Sequence, residues 1–154
     1  MEALEYHEIV RRCGGDQREL DRKERWTVMQ HWREVFAASL HAASGKWKLD
    51  QFEWHVFTGG YTRALAGGRA IEAYGAEQPA AFLVVPEDPM LPAFACKGSQ
   101  LPDFNALAAD IYVWPEDFSW TMAFTHEATT SMGLGPYFAR REWAEQRPVR
   151  GGAA

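Results

Sequence analysis

The stretch from Asp110 to Phe138 constrains the fold most, because two strand-like runs lie within it only a few residues apart. Residues 111–114 are apolar, and residues 118–125 alternate large apolar side chains with small or polar ones. Residues 115–117 between them read Pro-Glu-Asp, which is typical of a turn. The pattern predicts an antiparallel hairpin, with a further short strand at residues 137–138.

An amphipathic helix is predicted upstream of this hairpin. Residues 16–21 contain the starts of two possible capping boxes, and Ser44-Gly45 forms a natural stop. Between these signals, large apolar side chains recur at steps of three and four residues. They are Trp26, Met29, Trp32, Phe36 and Leu40.

Other segments carry shorter signals. Residues 46–58 alternate around Phe52, Trp54 and Val56, which predicts a half-buried strand, and the apolar residues 80–85 predict a central strand. Short helices are predicted at the remaining periodic or capped segments, with an ordered surface loop before the last of them. The helices cover residues 3–13, 64–77 and 102–108, and the loop covers residues 86–103.

This order of elements predicts an α+β fold. We expect a mainly antiparallel sheet of four to five strands, with the N-terminal helix packed on one face. A length of 154 residues suits one domain, predicted over residues 1–146 and followed by a flexible tail at residues 147–154.

Charge and cysteine content exclude several classes of protein. A net charge of −5 argues against a nucleic-acid binder, which normally carries a basic stripe. Cys13 and Cys96 are far apart, so we expect buried free thiols rather than a zinc cage or a disulfide scaffold. The N-terminus lacks a signal-peptide pattern and no run has membrane-spanning length, so a cytoplasmic location without membrane association is predicted.

The C-terminal third resembles a family of small bacterial proteins, common in bacilli, that is known only as a domain of unknown function. The resemblance rests on Trp120-Thr121, then Thr125-His126-Glu127, then residues 135–138, Gly-Pro-Tyr-Phe. An upstream Trp-His-x-Phe at residues 54–57 is also similar, whereas the link at residues 128–134 is longer than in the family. The resemblance implies a single α+β domain and implies no activity, cofactor or catalytic residue.

His126 and Glu127, with Tyr137 further on, are the first candidates for chemistry. An imidazole held by a carboxylate can act as a general acid or base. Neighbouring residues of a strand point to opposite faces, however, so the two side chains are expected to diverge if the strand continues. The alternative is structural, with His126 capping the sheet and Glu127 accepting backbone N–H bonds.

A metal site is a second hypothesis. His55 lies on the predicted polar face of its strand, and with His126 and Glu127 it could form a set of two histidines and one carboxylate. No metal-binding spacing supports this set, and a hydrogen-bonded or solvent-exposed His55 is favoured. No cofactor is therefore predicted.

Binding to another protein is the function that the sequence favours. Trp114 and Trp143 are expected to be exposed aromatic anchors. Glu116 and Asp117 lie at the hairpin turn, where carboxylates usually satisfy local N–H groups but could instead receive Lys or Arg from a partner. A small acidic domain without a strong catalytic motif suggests an immunity or antitoxin-type protein. The alternatives are a small metal-dependent or His/Glu-based hydrolase, and a homodimer formed on the exposed sheet or hairpin edge.

Overall fold

The computed structural model describes residues 2–98, 100–130 and 133–145, so the predicted tail at residues 147–154 lies outside the described residues. Within these residues, seven strands form one antiparallel sheet with the order β1-β4-β3-β5-β6-β7-β2. The strands are β1 (Asp16–Glu19), β2 (Leu65–Ala66), β3 (Ala81–Pro86), β4 (Phe94–Lys97), β5 (Ile111–Pro115), β6 (Trp120–Phe124) and β7 (Tyr137–Arg140).

Six helices accompany the sheet in the described part of the chain, which makes the fold α+β as predicted. No helix among these residues is long and apolar enough to cross a membrane. The helices are α1 (Glu2–Arg12), α2 (Arg22–Phe36), α3 (Ala38–Ser44), α4 (His55–Thr58), α5 (Gly68–Gly75) and α6 (Arg141–Ala144).

The predicted hairpin and central strand are confirmed. Strand β5 pairs with β6 in a register that places Ile111 opposite Phe124, and β7 follows as the next strand. Strand β3 lies between β4 and β5, and its residues 82–86 are all buried. The prediction of four to five strands was too low, because β1, β2 and β4 are short and carry little alternation.

Both faces of the sheet are covered, whereas a helix on one face was predicted. Trp32 and Phe36 of α2 pack on the face that carries Tyr112 and Ala123. The opposite face carries a second core beneath α1 and α5, which includes Tyr6, Tyr74, Met122 and Phe124. Consequently both parities of β5 and β6 are buried, and their alternation separates two cores rather than a core from solvent.

The predicted strand at residues 46–58 is wrong. These residues form turns and the short helix α4, and Trp54, Val56 and Phe57 are all buried. Glu53, expected on a polar strand face, is also buried because it pairs with Arg33. The apparent alternation therefore reflects an irregular segment packed into the core.

Two further predictions also failed. Residues 86–103 contain β4 instead of only a loop, because Phe94–Lys97 completes hydrogen bonding between β3 and β1. Residues 102–108 form turns instead of a helix, and Asp103 Oδ1 accepts only a local bond from the Asn105 backbone N at 2.9 Å.

Helix α2 begins with the predicted capping box. Asp21 Oδ1 accepts from the Glu24 backbone N at 2.8 Å, and Glu24 Oε1 accepts from the Asp21 backbone N at 3.0 Å. The predicted single helix is divided at Ala37 into α2 and α3. The apolar residues of α2 are buried at Trp32 and Phe36, but near the N-terminal end of the helix Trp26 is 64% exposed.

Candidate functional site

The end of the β5–β6 hairpin gathers the polar residues that the sequence singled out. Continuing the Ile111–Phe124 register by one residue brings Asp110 opposite Thr125, immediately before His126. Asp110 Oδ1 accepts bonds from the His126 backbone N at 3.0 Å and from Trp54 Nε1 at 2.8 Å. One mostly buried carboxylate therefore joins the hairpin to residues 53–58.

The His126 imidazole is held by the same carboxylate. Its Nδ1 lies 2.9 Å and 3.0 Å from the two oxygens of Asp110. A carboxylate oxygen is the acceptor of such a contact, so Nδ1 is assigned as the N–H donor. The imidazole side chain is 37% exposed, and Nε2 lies 3.6 Å from Glu127 Oε2.

Glu127 therefore lies beside His126, and the expectation that strand parity separates them is wrong. Strand β6 ends at Phe124, and residues 126–129 form turns. A turn does not follow the alternation of a strand, so adjacent side chains can share one side. The expectation applied only if the strand continued past Thr125, and the sequence does not reveal where the strand ends.

Tyr137 belongs to a neighbouring packing cluster. The Trp54 ring lies 6.2 Å from the His126 ring and 6.1 Å from the Tyr137 ring. The Tyr137 hydroxyl accepts a bond from Thr58 Oγ1 at 2.8 Å, and the residue is 7% exposed. These contacts favour a structural role for Tyr137.

The Thr125 side chain fixes the returning chain. Its hydroxyl donates to the Leu134 backbone oxygen. Gly135 has φ +92°, and a Cβ placed there would lie 2.8 Å from the Thr125 side chain. A glycine is required at this position for both reasons. The Thr-His-Glu and Gly-Pro-Tyr-Phe motifs are thus directly packed together.

The predicted metal set is not assembled. Across residues 2–98, 100–130 and 133–145, no group of three or more His, Cys, Asp or Glu side chains is placed to hold a metal ion. His55 lies in α4 rather than on a strand, with its ring 4.4 Å from the Trp54 ring and its Nδ1 4.0 Å from Asp50 Oδ2. His55 therefore packs against aromatic rings.

A second polar network lies beneath α2, and sequence reasoning missed it. Glu87 Oε1 accepts from the Tyr112 hydroxyl at 2.7 Å and from the Glu53 backbone N at 2.9 Å. Glu53 in turn pairs with Arg33 Nε at 2.8 Å. Burial raises the pKa of Glu53 above its ordinary value of 4.5, and the Arg33 guanidinium opposes that shift. The spacing of these residues offers no motif that could have predicted the network.

Trp114 and Trp143 were predicted to be exposed aromatic anchors, and the prediction is wrong for Trp114. It is fully buried and packs against Phe118, because both faces of β5 are covered. Trp143 is partly buried, and the Arg63 guanidinium lies 4.6 Å from its ring. Its role in binding stays a prediction.

The carboxylates of the hairpin turn are exposed, and Asp117 has the local role expected of a turn residue. Asp117 Oδ1 accepts from the Ser119 backbone N at 2.9 Å. Glu116 lines a groove of about 410 Å³ together with Lys23 and Phe118, and this groove is distinct from the one described next. Neither contact tests the predicted role of Glu116 and Asp117 in binding a partner.

An exposed apolar surface lies elsewhere, between α2 and residues 86–90. Trp26 is 64% exposed and lines a groove of about 240 Å³ together with Pro89, and the adjacent Met90 is 86% exposed. We call this surface the α2 groove. Arg25 fastens the two segments together, since its guanidinium donates to the backbone oxygens of Pro86, Asp88 and Leu91. The sequence had predicted Trp26 as a core residue.

These features define a class of protein: a mixed α+β domain with a two-sided antiparallel sheet, a carboxylate-held histidine at one end and an exposed tryptophan groove on α2. Comparison with protein-family models, with curated protein sequences and with solved structures finds no match. The resemblance to the bacterial family of unknown function therefore stays a prediction.

Proposed function

We propose that this chain is a protein-binding domain whose α2 groove receives an apolar side chain of another protein. Carboxylates of the partner flank that apolar side chain. The observation that carries the proposal is the exposure of Trp26 beside the groove. Trp, Met and Arg are the residue types enriched at protein interfaces, and a central tryptophan often supplies much of the binding energy.

The charge of the α2 groove supports an acidic partner segment. The charged side chains that line it, among the described residues, are Arg22, Arg25, Arg33 and Glu87, and Arg33 is already paired with Glu53. Arg22 and Arg25 therefore supply the positive charge that a partner can meet, in a chain whose net charge is −5. Complementary charge steers association and selects the partner.

The concrete form that we propose is an immunity or antitoxin-type protein that blocks a toxin. Small size and the absence of a strong catalytic motif in the sequence motivate this form. The partner's contact segment would then be acidic around one apolar anchor. A toxin whose inhibition survives loss of the groove's tryptophan would exclude this mode of docking.

Replacing Trp26 should weaken recognition by this surface. We expect a phage-displayed library of short random peptides, panned on the protein, to yield peptides with a large apolar residue beside Asp or Glu. Their affinity should fall at least about tenfold in Trp26→Ala, because a lost interface tryptophan costs more than about 1.4 kcal/mol. Titration calorimetry at two salt concentrations measures this loss, and higher salt should weaken the wild-type complex.

Leu4→Ala is the matched control. Leu4 is 76% exposed but lies on α1, which packs on the opposite face of the sheet. This variant should bind the selected peptides as the wild type does. Peptides without acidic residues, or equal losses in both variants, would contradict the proposal. Self-association that light scattering detects and that Trp26→Ala removes would favour a homodimer instead.

A second candidate function is acid–base chemistry at His126. The favouring observation is that Asp110 holds Nδ1 while the imidazole stays 37% exposed. A neutral imidazole held this way can accept a proton from water at Nε2 as that water attacks an ester carbonyl. Glu127 is close enough to stabilise the imidazolium that results.

Hydrolysis of p-nitrophenyl acetate tests this second function. The rate above the background of buffer should fall at least about tenfold in His126→Ala, because a positioned base contributes on the order of a hundredfold or more. His7→Ala removes another exposed histidine and should leave the rate unchanged. Equal rates in wild type and His126→Ala would exclude acid–base catalysis of this reaction.

A further inference from the structure

A cleft on the face of the sheet opposite the α2 groove has no role in the proposed docking. Its volume is about 460 Å³, within the range of small-molecule sites. The cleft opens between α5 and residues 100–103. Tyr74, Met122 and Phe124 lie beneath it, almost fully buried in the second core. The accessible apolar lining is Ile71, which is 42% exposed, and the partly buried Leu101.

The rim of the cleft is acidic. Glu77 and Asp103 are the charged residues among those that line it. Glu77 lies 3.3 Å from Arg140, whereas the described bond of Asp103 is to the backbone N of Asn105. Among the described residues, Asp103 is thus the acid of the rim that lacks an ion pair.

A buried phenol fixes the position of the rim. Tyr74 and Phe124 pack edge to face beneath the cleft, with 6% and 2% of their surface exposed. The Tyr74 hydroxyl donates to the Pro102 backbone oxygen at 2.6 Å, which ties the segment that carries Asp103 to α5. Burial raises the pKa of Tyr74 well above its ordinary value of 10, so the phenol stays protonated at neutral pH.

We infer that this cleft binds a small organic cation, an amine with an apolar or aromatic body. The apolar body packs against Ile71 and Leu101, and the ammonium group lies at the rim beside Asp103. Cavity size, apolar lining and acidic rim all fit this class, whereas an anion would face two carboxylates.

The experiment compares three probes of one shape and different charge: 2-phenylethylamine, 2-phenylethanol and 3-phenylpropanoate. Each is titrated into the ¹⁵N-labelled full chain, and saturable amide shifts at residues lining the cleft give the dissociation constant. We expect the amine to bind about fivefold more tightly than the alcohol, and the carboxylate to bind least.

Two variants separate the charge at the rim from charge in general. Asp103→Asn should weaken the amine about threefold and leave the alcohol unchanged. Glu72→Gln removes an equal charge from the exposed face of α5, outside the cleft, and should change neither. The same spectra show that each variant is folded.

Three results would overturn the inference. They are saturable shifts absent from the cleft, equal affinity for amine and alcohol, or an Asp103→Asn variant that binds the amine as the wild type does. Shifts confined to Trp26 and its neighbours would assign the probe to the α2 groove instead. The cleft lies on the other face of the sheet, so its failure would leave the proposed protein docking unaffected.

Discussion

Replacing Arg33 with Met should lower the free energy of unfolding at pH 7 by about 3 kcal/mol, because it leaves the Glu53 carboxylate buried without its partner. The Glu53 side chain is only 2% exposed, and Arg33 Nε lies 2.8 Å from it. Methionine keeps most of the apolar stem, so the loss reports charge more than packing. Urea denaturation of the variant and the wild type measures the difference.

The loss should also depend on pH, with a defined sign. Burial already raises the folded pKa of Glu53 above its ordinary value of 4.5, and loss of Arg33 removes the main opposing charge. The folded protein then holds the proton more tightly than the unfolded chain, so stability falls as pH rises above 4.5. We therefore expect the deficit of Arg33→Met to be largest at neutral pH and smallest at or below pH 4.5.

Two controls accompany this prediction. Arg18→Met breaks the exposed pair of Arg18 with Glu24, whose side chains are 63% and 39% exposed, and should cost less than about 1 kcal/mol. Adding Glu53→Gln to Arg33→Met should recover part of the stability, because the unpaired charge is gone. Equal losses in the two arginine variants would mean that the buried pair contributes no more than a surface pair.

The second large effect is expected for Asp110→Ala, at about 3 kcal/mol. The substitution removes the acceptor of three donors: Trp54 Nε1, the His126 backbone N and His126 Nδ1. The His126 imidazole is 37% exposed and can turn to water, so the cost falls on the Trp54 indole N–H and the His126 backbone N–H. A buried donor left unsatisfied costs about 1–3 kcal/mol. Urea denaturation measures the total.

Hydrogen exchange of the Trp54 indole proton gives this prediction a local readout, and it should accelerate in Asp110→Ala. Asp110→Asn keeps one acceptor oxygen and should cost less, about 1 kcal/mol. Asp117→Ala is the matched control, because Asp117 Oδ1 accepts a single bond from the Ser119 backbone N in an exposed turn. A cost for Asp110→Ala no greater than that of the control would show that the carboxylate does not join the two segments.

The sequence pattern correctly predicted those elements for which the pattern along the chain and the packing in the fold favour the same secondary structure. The hairpin, the central strand and the capping box of α2 are of this kind, since each depends on residues close in sequence. The strands β1, β2 and β4 escaped prediction because their stability comes from hydrogen bonds to distant strands. The irregular segment at residues 46–58 was mistaken for a strand because its apolar spacing is compatible with either structure.

In the candidate site too, some features follow from neighbouring residues and others from contacts between distant segments. The sequence by itself determined that a Thr-His-Glu triplet ends the hairpin and that a glycine precedes Pro-Tyr-Phe. Only the tertiary structure decided that Asp110 holds His126, that Trp54 joins the same carboxylate, and that Trp26 rather than Trp114 is exposed. The physical reason is that side-chain partners and burial depend on which distant elements meet, whereas turns, caps and strand alternation depend on neighbours along the chain.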